Sequence, residues 1–208
     1  MTEAVIESGF AKVGPGEWLC GLAQPTAFRG TASVSGLRGF IVPDRAAVRR
    51  LVSSAEAWFG SAEAPFLTRL DALPDTSLNL VSAKLLVAPF AARVGALSLK
   101  LVPFSFQRAT PVTELRMGWA VAATRSRVTR LALGDGETLS VRPEALVAWT
   151  GARPTGFCPK LGLLDLVLPR GPKNLVYSLH GPAVVWFEGS ARATGPLRGA
   201  RSAWGRCA

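Results

Sequence analysis

The sequence predicts a mainly β protein: an antiparallel β-sandwich or barrel of short strands carrying one N-terminal helix insertion. Three observations predict it. Apolar residues alternate at period two from about residue 78, Gly- and Pro-bearing turns cut that alternation into short runs, and one earlier segment repeats at helical spacing.

Residues 1–42 read as short strands broken by turns, with Gly14-Pro15-Gly16 the strongest breaker and apolar runs at 18–23, 32–34 and 40–42. Asp44, after Pro43, has the chemistry of a helix N-cap. Behind it Val48, Leu51, Val52, Ala55, Trp58 and Phe59 recur at three- and four-residue steps until Gly60, which predicts a helix over 45–59 with Arg45, Arg49 and Glu56 on its wet face and Arg50 near the edge. From there the period changes. Leu97, Leu99 and Leu101 alternate with small or charged residues, and Leu115, Met117, Trp119 and Val121 do the same, as half-buried strands require. Strands are expected at 128–133, 138–141, 145–149, 161–168, 174–179 and 183–188. The structural turns between them are Gly134-Asp135-Gly136-Glu137, Arg142-Pro143-Glu144, Pro169-Arg170-Gly171-Pro172 and His180-Gly181-Pro182, and Asp-Gly suits a tight hairpin because Gly supplies a positive φ. No fixed repeat period is evident. A single β domain over 1–190 and a basic tail over 191–208 follow.

Of 208 residues, 49% are hydrophobic and 18% charged, which suffices for a core, and no apolar run approaches the roughly 18 residues of a spanning helix. The N-terminus carries Glu3 and Glu7 and no basic stretch, so a cytoplasmic location is the expectation. Cys20, Cys158 and Cys207 are odd in number and far apart, as reduced thiols would be. The net charge is +10, of which the tail supplies +4 through Arg192, Arg198, Arg201 and Arg206 with no acid.

Catalytic chemistry is hard to assemble from this inventory. One histidine, His180, excludes a two-histidine metal site, the cysteines lack zinc-site spacing, and the P-loop, dinucleotide-binding and nucleophile-elbow patterns are missing. No enzyme, metal or cofactor is therefore expected. Asp135 and Glu137 share a turn and read as hairpin residues.

Read as a unit, Gly136-Glu137-Thr138-Leu139-Ser140-Val141-Arg142-Pro143-Glu144-Ala145-Leu146-Val147-Ala148-Trp149 and, some thirty residues on, Leu179-His180-Gly181-Pro182-Ala183-Val184-Val185-Trp186 resemble the altered-inheritance-of-mitochondria family. The resemblance spans roughly residues 95–190, and Ala183 stands where that family's Gly-Pro-Gly turn has its second glycine. It implies a β-sandwich like that of the tryptophan RNA-binding attenuation protein, self-association, and no catalytic residue to carry over.

Two functions follow as expectations. The first is a homo-oligomeric β-sandwich scaffold or protein-binding module, with Trp119, Trp149 and Trp186 packing in the core or between subunits. The second is nucleic-acid or anion binding through Arg192, Arg198, Arg201, Trp204 and Arg206, helped by Arg125, Arg127 and Arg130; attachment of the same tail to an anionic membrane surface ranks behind both.

Overall fold

A computed structural model describes residues 3–21, 25–36, 48–73, 76–91, 93–97, 110–157 and 176–189. These residues hold nineteen strands and a single turn of 3-10 helix at Ser82–Lys84. β1 (Val5–Glu7) comes first. It is followed by β2 (Phe10–Val13), β3 (Gly16–Cys20), β4 (Ala27–Phe28), β5 (Ala32–Gly36), β6 (Arg49–Ser53) and β7 (Ala57–Phe59). Next come β8 (Phe66–Asp71), β9 (Leu78–Val81), β10 (Leu85–Pro89), β11 (Arg93–Leu97), β12 (Thr110–Leu115) and β13 (Trp119–Thr124). Last are β14 (Val128–Leu133), β15 (Thr138–Val141), β16 (Leu146–Thr150), β17 (Thr155–Phe157), β18 (Val176–His180) and β19 (Ala183–Glu188).

The strands form four sheets, ordered β1-β2-β7-β4, β5-β6-β3-β10-β13-β8, β11-β12-β9-β16-β19-β14 and β15-β18-β17. Three cores separate them. Val13, Ala57 and Phe59 of the first sheet meet Trp18, Leu51 and Val121 of the second. Leu19, Leu70 and Ala122 of the second meet Leu78, Leu80 and Leu115 of the third. Leu146, Trp149 and Val185 of the third meet Val141, Tyr177 and Leu179 of the fourth. The sheets are thus stacked face to face, and the two middle ones are covered on both sides. That is why β13 is buried along its whole length: Trp119, Val121 and Ala123 face one core, Ala120 and Ala122 the next.

The order of the second sheet becomes that of the third when six is added to every strand label. The same step relates β4-β7-β2 to β10-β13-β8, and β11-β12-β9 to β17-β18-β15. The chain is therefore three successive copies of one six-strand unit, β2–β7, β8–β13 and β14–β19. Their first strands begin at residues 10, 66 and 128, and their last at 57, 119 and 183. The steps are 56 and 62 residues for the first strands, and 62 and 64 for the last. Details repeat as well. Leu51, Leu115 and Leu179 pair with Trp18, Leu78 and Leu139. A bulge falls between Leu85 and Val87 in β10 and between Leu146 and Ala148 in β16. A basic group lies over a tryptophan in every unit: Lys12 over Trp58 at 5.5 Å, Arg69 over Trp119 at 5.9 Å and Arg130 over Trp186 at 5.9 Å.

Four expectations need correction. The helix expected over 45–59 is absent where the segment is described, from residue 48 on: it is β6, a turn and β7. Leu51 and Ser53 point inward from β6, Ala57 and Phe59 from β7, and two period-two strands joined by a three-residue turn imitate helical spacing over this length. Residues 115–121 are not one strand. Leu115 ends β12 in the third sheet, Met117 is 71% exposed, Gly118 takes φ +93°, and Trp119 starts β13 in the second sheet. A repeat, not evident in the sequence, organises the molecule. The Asp135-Gly136 turn is not a hairpin turn, because β14 pairs with β19 and β15 with β18. The strands expected at 128–133, 138–141, 145–149, 174–179 and 183–188 are found as β14, β15, β16, β18 and β19, while 40–42, 161–168, Asp44, Cys158 and Cys207 lie outside the described residues.

Candidate functional site

The predicted turn residues form a corner where one two-stranded ribbon passes from the third sheet to the fourth. Leu133 pairs with Ala183 on one side of the bend and Thr138 with His180 on the other. Glu137 closes the turn: its N–H donates to Gly134 O at 3.2 Å, and its Oε2 accepts from Gly134 N at 2.7 Å. Gly136 adopts φ +76° in open space. Gly181 has a different reason to be glycine. Its N–H donates to Glu137 O at 2.9 Å, and a Cβ on it would lie 1.9 Å from Gly134 O. The Gly181-Pro182 bond is cis. Glu137 is thus committed to backbone.

Arg125 and Arg127 are exposed in the turn between β13 and β14, and Arg130 is exposed on β14, the outer strand of the third sheet. Against the backbone of this turn lies a buried ion pair with no local sequence signal. Lys84, in the 3-10 turn that leads from the third sheet to the second, donates to Glu188 Oε1. Glu188 Oε2 accepts from Arg125 N at 2.8 Å and Ser126 N at 3.4 Å. Glu188 is 6% exposed. Burial, then the charge of Arg125, push the Lys84 ammonium down from the ordinary lysine range, and Glu144 opposes them. The pair fixes the turn that carries Arg125 and Arg127 at a passage between sheets.

Arg192, Arg198, Arg201, Trp204 and Arg206 lie outside the described residues. His180 is exposed; its Nδ1 is 3.1 Å from Thr138 Oγ1, and its Nε2 is 3.5 Å from Ser178 Oγ. No group of three metal-ligating side chains occurs among the described residues, and no described helix is long and apolar enough to cross a membrane.

The feature the residues do build is a pair of unfilled half-joints, at two of the sheet edges. Each six-strand unit makes two half-sheets, and the joints between units are edge-to-edge pairings: β3 with β10, through Cys20–Val87, Leu19–Ala88 and Trp18–Pro89, and β9 with β16, through Leu80–Ala148, Asn79–Trp149 and Leu78–Thr150. β4 occupies the place of β10 and β16, and β15 that of β3 and β9. Among the described residues neither has a neighbour on that side. The row Lys12–Trp58–Ala27 matches Arg69–Val121–Val87 and Arg130–Trp186–Ala148, which places Phe28 where Ala88 and Trp149 stand. Ala88 and Trp149 are 0% and 1% exposed, but Phe28 is 53% exposed, although its partner on β7, Ala57, is fully buried. On β15, Val141 is buried, whereas Leu139 and Ser140 are half-buried and Thr138 is exposed. Phe28 carried no signal in the sequence, because the repeat that gives it meaning is legible only in the strand order.

No known family matches the sequence, and no curated protein matches it. A crystal structure of a Streptococcus pyogenes protein is similar in fold, with TM-score 0.65 at 13% identity over 91% of this chain and 93% of that one. That likeness extends to nearly all of both chains and is one of fold alone: a mainly antiparallel β architecture of stacked sheets.

Proposed function

We propose that this protein is a non-enzymatic β-sandwich scaffold that acts as a homo-oligomer in the cytoplasm. The observation that carries the reading is Phe28, a large apolar side chain 53% exposed on an open sheet edge, at a position that is buried wherever the same edge is filled. Exposed strand edges bearing apolar groups are templates for pairing with another chain. The resemblance of residues 95–190 to the altered-inheritance-of-mitochondria family points the same way, and the free, buried Cys20 suits a reducing compartment.

The test is the native mass of the full chain by light scattering on a size-exclusion peak, with absorbance followed at 260 and 280 nm. A discrete multimer without excess 260 nm absorbance is expected. A single chain of 22.0 kDa contradicts the reading, and a single chain carrying nucleic acid replaces it with the basic-tail function.

A further inference from the structure

We propose that copies of this chain join head to tail, β15 of one pairing antiparallel with β4 of the next, so that the internal joint between units is continued between molecules. The proposal rests on the scaffold reading and names its interface. Its basis is the repeat: the molecule contains this joint twice and, among the described residues, shows one half of it at either side.

The internal joints fix the register. Cys20 and Leu80, which pair with Val87 and Ala148, are matched in the fourth sheet by Val141, since Leu139 pairs with Leu179 as Trp18 does with Leu51 and Leu78 with Leu115. The core each faces agrees: Trp18 and Cys20 point into the first core, Leu78 and Leu80 into the second, and Leu139 and Val141 into the third. Val87 and Ala148 are matched in the first sheet by Ala27. Continuing the joint therefore sets Val141 opposite Ala27, Ser140 opposite Phe28 and Leu139 opposite Arg29 of the next copy.

The occupant is a second copy because the two edges are complementary parts of one joint rather than two copies of one patch. A pairing of this kind is heterologous, so it closes into a ring or runs on as a filament, and it does not stop at a two-fold dimer. It would complete a seven-stranded sheet, β17-β18-β15 from one copy and β4-β7-β2-β1 from the next. Phe28 would then be covered as Ala88 and Trp149 are.

The experiment uses full-length chains with Cys158→Ser and Cys207→Ser, leaving the buried Cys20 in place, and adds Phe28→Cys, Ser140→Cys or both. Opposite positions of an antiparallel pair bring Cβ atoms to about 4.5–5.5 Å, close enough for a disulfide after small adjustment. On mild oxidation the double variant should form a ladder of covalent multimers or a closed ring. A mixture of the two single variants should give a covalent dimer, and either single variant alone should give none. A parallel sample, Phe28→Lys, should lose at least tenfold in association while keeping its β circular dichroism. If the parent chain is multimeric, but no cross-link forms and Phe28→Lys leaves the mass unchanged, the end-to-end joint is wrong and the scaffold reading survives. If the parent chain is monomeric at all concentrations, both fall.

Discussion

The two joints inside the chain and the two edges at its ends are made of equivalent strands, yet they carry different side chains. At the inner joints Leu19, Leu80, Ala88 and Trp149 are fully or almost fully buried. At the ends Phe28 is mostly exposed and Ser140 takes the place of Leu19 and Asn79. The inner joints are permanent parts of a core. The ends resemble a reversible contact, with one apolar anchor flanked by a hydroxyl and Arg29.

The sharpest contrast is Trp149→Ala against Phe28→Ala. The first should cost about 3–5 kcal/mol in urea unfolding through cavity formation, whereas the second, in dilute dissociated protein, should stay within about 0.5 kcal/mol. Trp149→Phe should cost well under half as much as Trp149→Ala, because it also removes a buried indole N–H that has no hydrogen-bond partner among the described residues. Next is Glu188→Gln, which leaves Lys84 without its carboxylate; a loss of about 3 kcal/mol is expected, and a loss below 1 kcal/mol would show that the pair does not secure the β13–β14 turn. Gly136→Ala, strained at φ +76° but unobstructed, should cost about 1–2 kcal/mol, and Gly181→Ala distinctly more, since its Cβ would meet Gly134 O. The smallest effect on stability comes with a large kinetic one. Burial pushes the Cys20 thiol up despite Arg49, so at an inner joint it should react with a thiol reagent far more slowly than the Phe28→Cys thiol at the end of dissociated protein.

Much of the fold was legible in the second half of the chain. Flanking Gly and Pro mark β14, β15, β16 and β19 because turn chemistry is local, and β15 adds polar–apolar alternation. Two features escaped for the same physical reason. In the middle sheets both faces are covered, so β10 and β13 run almost wholly apolar and carry no period. In the first unit, β6 and β7 are so short that their inward residues fall at helical steps, and only pairing with β3 and β2 decides between the two readings. The repeat is likewise carried by pairing rather than by identity: Thr68-Arg69-Leu70 and Thr129-Arg130-Leu131 agree, but few other runs do. Of the candidate residues, Gly134, Gly136, Gly181 and Pro182 were legible as turn formers. Phe28 and the Lys84–Glu188 pair were not, since nothing local distinguishes them.

The most direct measurement is amide hydrogen exchange of the full chain at two protein concentrations, one above and one below dissociation. The account predicts that amides of Ala27–Arg29 and Thr138–Val141 gain protection together as concentration rises, while those of β3, β9, β10 and β16 stay equally protected at both. Concentration-independent exchange in both edge segments, in a protein whose mass does rise with concentration, would place the interface elsewhere and contradict the continuation of the repeat between molecules.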